Sequence, residues 1–314
     1  MKLLLPDSLR FSLKVPPEVS VVSYDASRPV PPEHLDAEAL VVWGSSGGDV
    51  AAVADRMPYL RWVQTLAAGP ESVLAAGFPD RVILTSGAGL HDRTVTEHAT
   101  ALVLALLRRL PAAGTAQAER RWADELGGVQ PLHPDGAITS LIDARVLIWG
   151  FGNIGQTLAP VLRQLGAEVR GVARTAGLRS GFQVVAEDEL ESELPKTDVL
   201  VMILPSTEAT RDALDARRLA ALPPHAYIVN VGRGSTVDED ALVAALDAGG
   251  IAGAALDVTA TEPLPSGSPL WEVRNLILTP HAAGGRPVGA DALISDNVAA
   301  LLAGEPLRNR INPD

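Results

Sequence analysis

The chain has 314 residues, 47% of them apolar and 20% charged; this excludes a mostly disordered polypeptide and leaves room for two domains of ordinary size. A formal net charge of −12 argues against a surface built for nucleic acid or an anionic membrane and points to a small-molecule ligand. With no cysteine, disulfides, thiolate metal sites and cysteine nucleophiles are excluded, which fits a cytoplasmic protein.

The opening Met1-Lys2-Leu3-Leu4-Leu5-Pro6 breaks too early for a signal peptide, and no run approaches the ~18 apolar residues of a membrane span. Residues 3–5, 19–23, 39–43, 62–66 and 82–85 read as short strands. They alternate with Pro-rich turns and helix-compatible segments such as 49–57, which predicts an α/β domain with a parallel sheet. Ala67-Ala68-Gly69-Pro70-Glu71-Ser72 is a small-residue loop at the C-terminal end of a strand. Open α/β sheets tend to place ligands there, although an ordinary turn reads equally well.

Thr94-Val95-Thr96-Glu97 has the form of a capping box, and Ala99, Leu102, Val103, Leu106, Leu107 and Leu110 follow on one face. Arg108 and Arg109 suit the C-terminal end of that helix, and Pro111 is predicted to end it. Residues 112–142, with Gly127, Gly128, Pro131, Pro134 and Gly136, predict an irregular arm that is either plain linker or a dimer contact.

Residues 145–155 read Arg-Val-Leu-Ile-Trp-Gly-Phe-Gly-Asn-Ile-Gly. A buried strand ends in Gly150, Gly152 and Gly155, and Ile154, Leu158, Val161, Leu162 and Leu165 then recur at helical spacing. Gly150 permits the tight turn, Gly152 lets the backbone approach a pyrophosphate, and Gly155 lets helix and strand pack closely. The helix N-terminus offers free N–H groups to phosphates. A glycine-rich turn without a ligand is the plainer alternative, and the strand before and helix after argue against it. Pro160 predicts a bend in that helix. Further strands are expected at 168–173, 183–185, 199–204, 227–231, 254–258 and 276–279, completing a doubly wound dinucleotide domain.

Three polar residues each follow a predicted strand on the side where a dinucleotide would lie: Arg233 between two glycines, Glu262 before a proline, and His281 among small residues. Singly, each reads as a solvated loop residue. Together they suit hydride transfer to a 2-oxo acid: a guanidinium fork for the carboxylate, an imidazole to protonate the carbonyl oxygen, and an acid to orient that imidazole. His34, His91, His98, His133 and His225 form no metal-ligand spacing, so no metal site is expected and their roles read as structural or solvated.

Gly-Phe-Gly-Asn-Ile-Gly at 150–155, Asn-Val-Gly-Arg-Gly-Ser-Thr-Val-Asp-Glu-Asp-Ala-Leu at 230–242, Ala-Leu-Asp-Val at 255–258 with Glu-Pro-Leu-Pro at 262–265, and Leu-Thr-Pro-His-Ala-Ala-Gly-Gly at 278–285 resemble the D-isomer-specific 2-hydroxyacid dehydrogenases in order and spacing. The resemblance runs from about Leu60 to the C-terminus and is weak in the first fifty residues. It implies two doubly wound domains: a Rossmann NAD(P)-binding domain over 94–283 and a flavodoxin-like substrate domain made from both chain ends, 1–93 and 284–314. It implies that Arg233, Glu262 and His281 are catalytic and that Phe151, Gly152, Asn153 and Ile154 bind pyrophosphate. Leu204, Pro205 and Thr210 would flank the adenosine side. Val231, Gly232, Arg233, Asp257 and His281 would face the cofactor, with Asp257 holding the nicotinamide amide. Ala68 and Gly69 would offer backbone N–H groups to the substrate carboxylate. A homodimer is also implied.

Two departures stand out: Gly69-Pro70-Glu71 replaces the family's usual Gly-Val-Asp, and Pro205-Ser206-Thr207 its usual Pro-Leu-Thr. The ending at Asp314 leaves no regulatory extension of the phosphoglycerate dehydrogenase kind, which points away from serine biosynthesis. The expectation is a reductase of a small 2-oxo acid such as glyoxylate or hydroxypyruvate; the rival reading is a dinucleotide-sensing, corepressor-like binding protein. At the end of the second strand of the glycine-turn domain, Ala173 stands where NAD-dependent folds carry an acid, and Arg174 and Thr175 follow, with Arg179 beyond. NADP(H) is therefore expected over NAD(H), unless Arg174 merely stacks on adenine.

Overall fold

The computed structural model describes residues 1–45 and 47–312, with the side chains of 47–49 left aside. Pro313 and Asp314, the end of the predicted C-terminal segment, lie outside the described residues. The chain divides into two compact units, Met1–His91 with Arg286–Asp314, and Asp92–Gly285.

The first unit holds five parallel strands, β1 (Lys2–Pro6), β2 (Ser20–Tyr24), β3 (Ala39–Val42), β4 (Trp62–Thr65) and β5 (Ile83–Thr85), in the order β2-β1-β3-β4-β5. That is the flavodoxin-like order. Strand period decides which layer each residue joins. Leu4, Leu40 and Val42 enter a core with Val50, Val53 and Met57. Their neighbours Leu3, Leu5, Ala39 and Val41 enter another with Leu293, Ile294, Val298 and Leu301 of the helix Ala290–Ala303. The C-terminal helix is thus part of this unit's core. Its buried Asn297 also donates to Gln64 Oε1 of β4 at 2.9 Å.

The second unit holds β6 (Arg145–Trp149), β7 (Glu168–Ala173), β8 (Gly177–Arg179), β9 (Phe182–Ala186), β10 (Val199–Met202), β11 (Tyr227–Asn230), β12 (Gly253–Leu256) and β13 (Leu276–Leu278). Their order is β13-β12-β11-β10-β6-β7-β9-β8, with only β8 antiparallel. The winding reverses between β6 and β10, and ligands bind at such a switch point, beyond the carboxyl ends of the strands. Both faces are buried, as in a Rossmann domain: Val146, Ile148, Val199 and Val201 pack on one side, and Leu147, Trp149, Leu200 and Met202 on the other.

Several local expectations change. The helix expected from Thr94 begins at Asp92, so Thr94 to Glu97 lie inside its first turns. Pro111 does not end it. The helix stops at Leu107, Arg109 turns left-handed at φ 52°, and a second helix, Leu110–Ala118, sets off at 67° to the first with Pro111 in its opening turn. A proline costs no hydrogen bond there. Leu110 leaves the apolar stripe and is exposed. The first part of the expected irregular arm is therefore helical. Pro160 does not end the helix Asn153–Gln164, in keeping with the reading of a bend and not a stop, and it is exposed. Strand β8 was not expected from sequence; it is short and largely exposed, and a turn at Ser180 (φ 49°) and Gly181 (φ 80°) returns it to β9.

At the opposite, amino-terminal edge of this sheet, Asp198 is 3% exposed. It accepts from the Arg145 backbone N–H at 2.7 Å and from His225 Nε2 at 2.9 Å, with the Arg145 guanidinium at 3.4 Å. Burial pushes its carboxyl up, but the Arg145 donors and His225 together outweigh burial and hold it below the ordinary aspartate range. A depressed carboxyl contributes stability at neutral pH that is lost as pH falls through its folded-state value. Asp198→Asn is expected to lower the unfolding free energy at neutral pH by about 1–3 kcal/mol. In denaturant titrations the gap from the parent should close below the ordinary aspartate range; a gap independent of pH would show that the charge contributes nothing.

Candidate active site

The turn after β6 is built from missing side chains. Gly150 has φ +102°, and a Cβ there would come within 2.5 Å of the Ile203 carbonyl oxygen at the end of β10. The Gly150 and Phe151 N–H groups both donate to Val172 O of β7, at 3.0 and 3.1 Å. The Phe151 ring is buried over Gly171, where a Cβ would lie 2.4 Å away, and beside Phe182. Its side chain therefore sets the turn and does not face a ligand.

A Cβ on Gly152 would meet nothing within 4 Å. The helix that follows has no side-chain cap, and the N–H groups of Asn153, Ile154 and Gly155 find no acceptor among the described residues. An open, uncapped helix N-terminus behind a glycine is a cradle that fits a pyrophosphate. Arg174 and Thr175, past the end of β7, are exposed. Arg179 of β8 folds back over them: its guanidinium donates to Thr175 O and Oγ1, both at 2.8 Å, and to Phe151 O at 3.2 Å. Arg174 has no hydrogen bond or ion pair among the described residues. Leu204 is buried, and the Thr210 hydroxyl is used internally, donating to Pro205 O at 2.6 Å and accepting from Thr207 N–H at 2.9 Å.

The three polar residues stand at the carboxyl ends of three adjacent strands, Arg233 after β11, Glu262 after β12 and His281 after β13. Buried Asn230 fixes the first turn: its Oδ1 accepts from Gly232 N–H at 3.0 Å and its Nδ2 donates to Arg233 O at 3.1 Å. Val231 and Gly232 are buried, whereas Arg233 is half-buried. Gly234 presses this turn against the next loop, since a Cβ there would lie 1.9 Å from the Thr259 carbonyl carbon. Thr259 N–H in turn donates to Glu262 Oε1 at 3.1 Å, and Glu262 Oε2 meets His281 Nδ1 at 2.7 Å. His281 Nε2 has no partner among the described residues, and its side chain is 47% exposed. Glu262 thus fixes Nδ1 as the donor and leaves Nε2 facing outward.

Asp257, at 1% exposure, is bonded chiefly to the histidine loop. Its main-chain oxygen accepts from His281 N–H at 2.7 Å, Oδ1 from the Thr279 hydroxyl at 2.6 Å and Ala282 N–H at 2.9 Å, and Oδ2 from Ala283 N–H at 3.1 Å. Oδ2 keeps one acceptor position. These bonds hold His281 left-handed at φ 51°, a conformation that costs a non-glycine residue about 1 kcal/mol or more and clusters at functional sites. His98, read from sequence as structural or solvated, reaches the same group, with Nε2 3.1 Å from Asp257 Oδ1 and 3.0 Å from Thr279 Oγ1. Neither His98 nor Thr279 was singled out from sequence. The available signals were a polar residue beside the stripe Val95, Ala99 and Leu102, and a hydroxyl just before Pro280-His281.

In the first unit, Ala68 and Gly69 lie in the loop after β4. Their N–H groups have no acceptor among the described residues, and the loop is braced where Gly87 N–H donates to Ala67 O at 2.8 Å. No group of three or more His, Asp or Glu among the described residues is arranged to hold a metal ion.

A parallel, doubly wound sheet with an open helix N-terminus at its switch point defines a dinucleotide-binding domain, and the histidine–carboxylate pair beside it suits proton transfer to a carbonyl. Residues 100–283 match the family described as D-isomer specific 2-hydroxyacid dehydrogenase, NAD binding domain. The chain is 31% identical over 295 residues to glyoxylate/hydroxypyruvate reductase B of Shigella boydii, covering 88% of this chain and 86% of that one. It is 30% identical over 286 residues to D-3-phosphoglycerate dehydrogenase of Mycobacterium tuberculosis, covering 88% of this chain but 51% of that one, so it spans about half the length of that relative. The crystal structure of a D-isomer specific 2-hydroxyacid dehydrogenase from Xanthobacter autotrophicus with NADPH and MES superposes with a TM-score of 0.77 at 34% identity, over 95% of this chain and 91% of that one. The chain belongs to the D-isomer-specific 2-hydroxyacid dehydrogenase family and is an NAD(P)-dependent oxidoreductase.

Proposed function

We propose that the protein reduces a small 2-oxo acid of the glyoxylate or hydroxypyruvate kind to the D-2-hydroxy acid, with NADPH preferred over NADH. The observation that carries this reading is the 2.7 Å His281–Glu262 pair, beside an arginine turn and an open helix N-terminus on one sheet edge. The name of the Shigella relative supports the substrate class, and the NADPH in the Xanthobacter structure supports the cofactor.

The turn of residues 150–155 holds the pyrophosphate through the open N–H groups of Asn153, Ile154 and Gly155. Arg174, Thr175 and Arg179 hold the 2′-phosphate, and Leu204, Pro205 and Thr210 flank the adenosine. Val231, Gly232 and Asp257 line the nicotinamide side, Asp257 through the acceptor position left on Oδ2. A bound nicotinamide dinucleotide supplies the hydride. Arg233 binds the oxo acid carboxylate with its fork. His281 gives its Nε2 proton to the carbonyl oxygen, while Glu262 keeps the ring oriented through Nδ1. The unit of residues 92–285 is thereby the cofactor domain, and the unit made from the chain ends is the substrate domain.

The same reading makes the protein a cytoplasmic homodimer without nucleic-acid or membrane partners. Its net charge of −12 and lack of cysteine support this, and no single helix among the described residues is long and apolar enough to cross a membrane. The exposed Leu110, which opens the second helix, and Trp122, Val129 and Leu132, which follow it, support the dimer. Light scattering should return twice the chain mass of 32.8 kDa; a monomer at assay concentration would overturn that part.

A spectrophotometric panel of glyoxylate, hydroxypyruvate, pyruvate and longer 2-oxo acids, each with NADPH and NADH, tests the whole. Turnover of none of them would point instead to a dinucleotide-binding sensor. His281→Ala should lower kcat by about 10²–10⁴-fold with cofactor affinity little changed. Arg233→Ala should raise KM and lower kcat together, costing at least about 10-fold in kcat/KM for each charge-assisted bond lost. Near-parent kcat in His281→Ala would remove the histidine from the reaction.

Cofactor choice is tested by the ratio of kcat/KM with NADPH to that with NADH. Arg174→Ala should lower this ratio about 10-fold or more, the value of one charge-assisted bond. Arg179→Ala should lower it as well, because it removes a charge and frees Thr175. A parent enzyme that uses NADH as well as NADPH would show the inference wrong.

A further inference from the structure

We propose that His98 is a positioning residue for the reduction: its Nε2–H, shared between Asp257 Oδ1 and Thr279 Oγ1, fixes the loop that carries His281. The proposal rests on the reading of His281 as the proton donor. Its starting point is a count of hydrogens around one buried carboxylate. The Thr279 hydroxyl has one hydrogen, and the 2.6 Å contact with Asp257 Oδ1 uses it, because a carboxylate can only accept. Thr279 Oγ1 therefore faces His98 as an acceptor, and so does Asp257 Oδ1. The hydrogen must lie on His98 Nε2.

His98 stands on the helix Asp92–Leu107, and its side chain is 23% exposed beside the buried stripe of Val95, Ala99 and Leu102. It is thus the only donor to the Asp257 carboxylate, among the described residues, that comes from outside the segment 279–283. The other three donors and the Asp257 main-chain oxygen bind that segment to itself and to β12. The bond from the helix decides where the assembly sits against the rest of the unit. His281, left-handed in the middle of the segment, then meets Glu262 at 2.7 Å. Loss of the His98 hydrogen leaves Asp257 one donor short and frees Thr279, so the imidazole shifts while the cofactor cradle after β6 is untouched.

A leucine at 98 extends the apolar stripe, which separates a positioning role from a purely structural one. In His98→Leu, kcat should fall on the order of 10- to 100-fold, the usual cost of a misplacement near 1 Å. KM for the oxo acid, the NADPH dissociation constant from fluorescence quenching and the melting temperature should stay near those of the parent. His98→Gln, which offers an amide N–H at a similar reach, should recover most of kcat. Thr279→Val, which removes the shared hydroxyl, should lower kcat in the same direction. Imidazole NMR of the cofactor-free, 15N-histidine-labelled protein supplies a readout apart from turnover. The Nδ1–H resonance of His281, assigned with His281→Gln, should persist in the parent and His98→Gln and be lost in His98→Leu.

A parent protein that reduces no 2-oxo acid would sink the functional reading while the NMR still tests the tie. An active parent whose His98→Leu variant keeps both kcat and the Nδ1–H resonance overturns the proposal. So does a loss of kcat that merely follows a loss of folded protein and is not recovered in His98→Gln.

Discussion

A carboxylate taken out of water must be met by hydrogen-bond donors, and apart from His98 the donors to the Asp257 carboxylate come from the segment that carries His281. It follows β12, and its acceptors bind the main-chain or side-chain donors of Thr279, His281, Ala282 and Ala283, which follow β13. Two adjacent strand ends are thereby locked in register beyond the last ladder bond, where Thr279 N–H reaches Leu256 O at 2.9 Å. The left-handed turn at His281 is affordable only because these bonds over-determine it. The position of Glu262 relative to the imidazole is inherited from the same lock.

Close backbone contact does the rest. The peptide after β10 is flanked by Gly150 from β6 on one side and Gly232 from β11 on the other: a Cβ on Gly232 would lie 2.6 Å from Leu204 N, and one on Gly150 would lie 2.5 Å from Ile203 O. Gly234 repeats the device against Thr259. Loops that meet main chain to main chain have no side-chain rotamers to relax, so the sheet edge is stiff where the polar groups stand. The one glycine of the nucleotide turn with nothing against it is Gly152, and the open space there faces the uncapped helix.

Sequence pattern made the doubly wound sheets legible because parallel strands buried on both faces leave continuous apolar runs, as Val146–Trp149 and Val199–Met202 do. It also picked out Arg233, Glu262 and His281, since each stands alone among small residues just past such a run. Local pattern failed where the deciding contact is distant or weak. Pro111 reads as a stop, yet it opens a helix because Arg109 has already turned the chain. Strand β8 has too little apolar content to announce itself and exists through pairing with β9. His98 is 159 residues from Asp257 in the chain. Nothing in the spacing of either residue reports the other, because a hydrogen bond between side chains needs no periodicity.

Arg179 lies across the start of the helix at Asn153, bonded to the Phe151 carbonyl. A cation at the positive end of a helix dipole is unfavourably placed until an anion arrives. The surface as a whole carries a net charge of −12 and repels that same anion at a distance. The two fields differ in range: the repulsion is summed over charges spread across the molecule, beyond a Debye length of about 10 Å at 0.1 M salt, whereas the attraction acts within a few ångströms. Added salt therefore erases the outer barrier before it weakens the inner well, so moderate ionic strength speeds the arrival of a phosphate-bearing ligand, the reverse of the usual behaviour of a basic phosphate-binding surface.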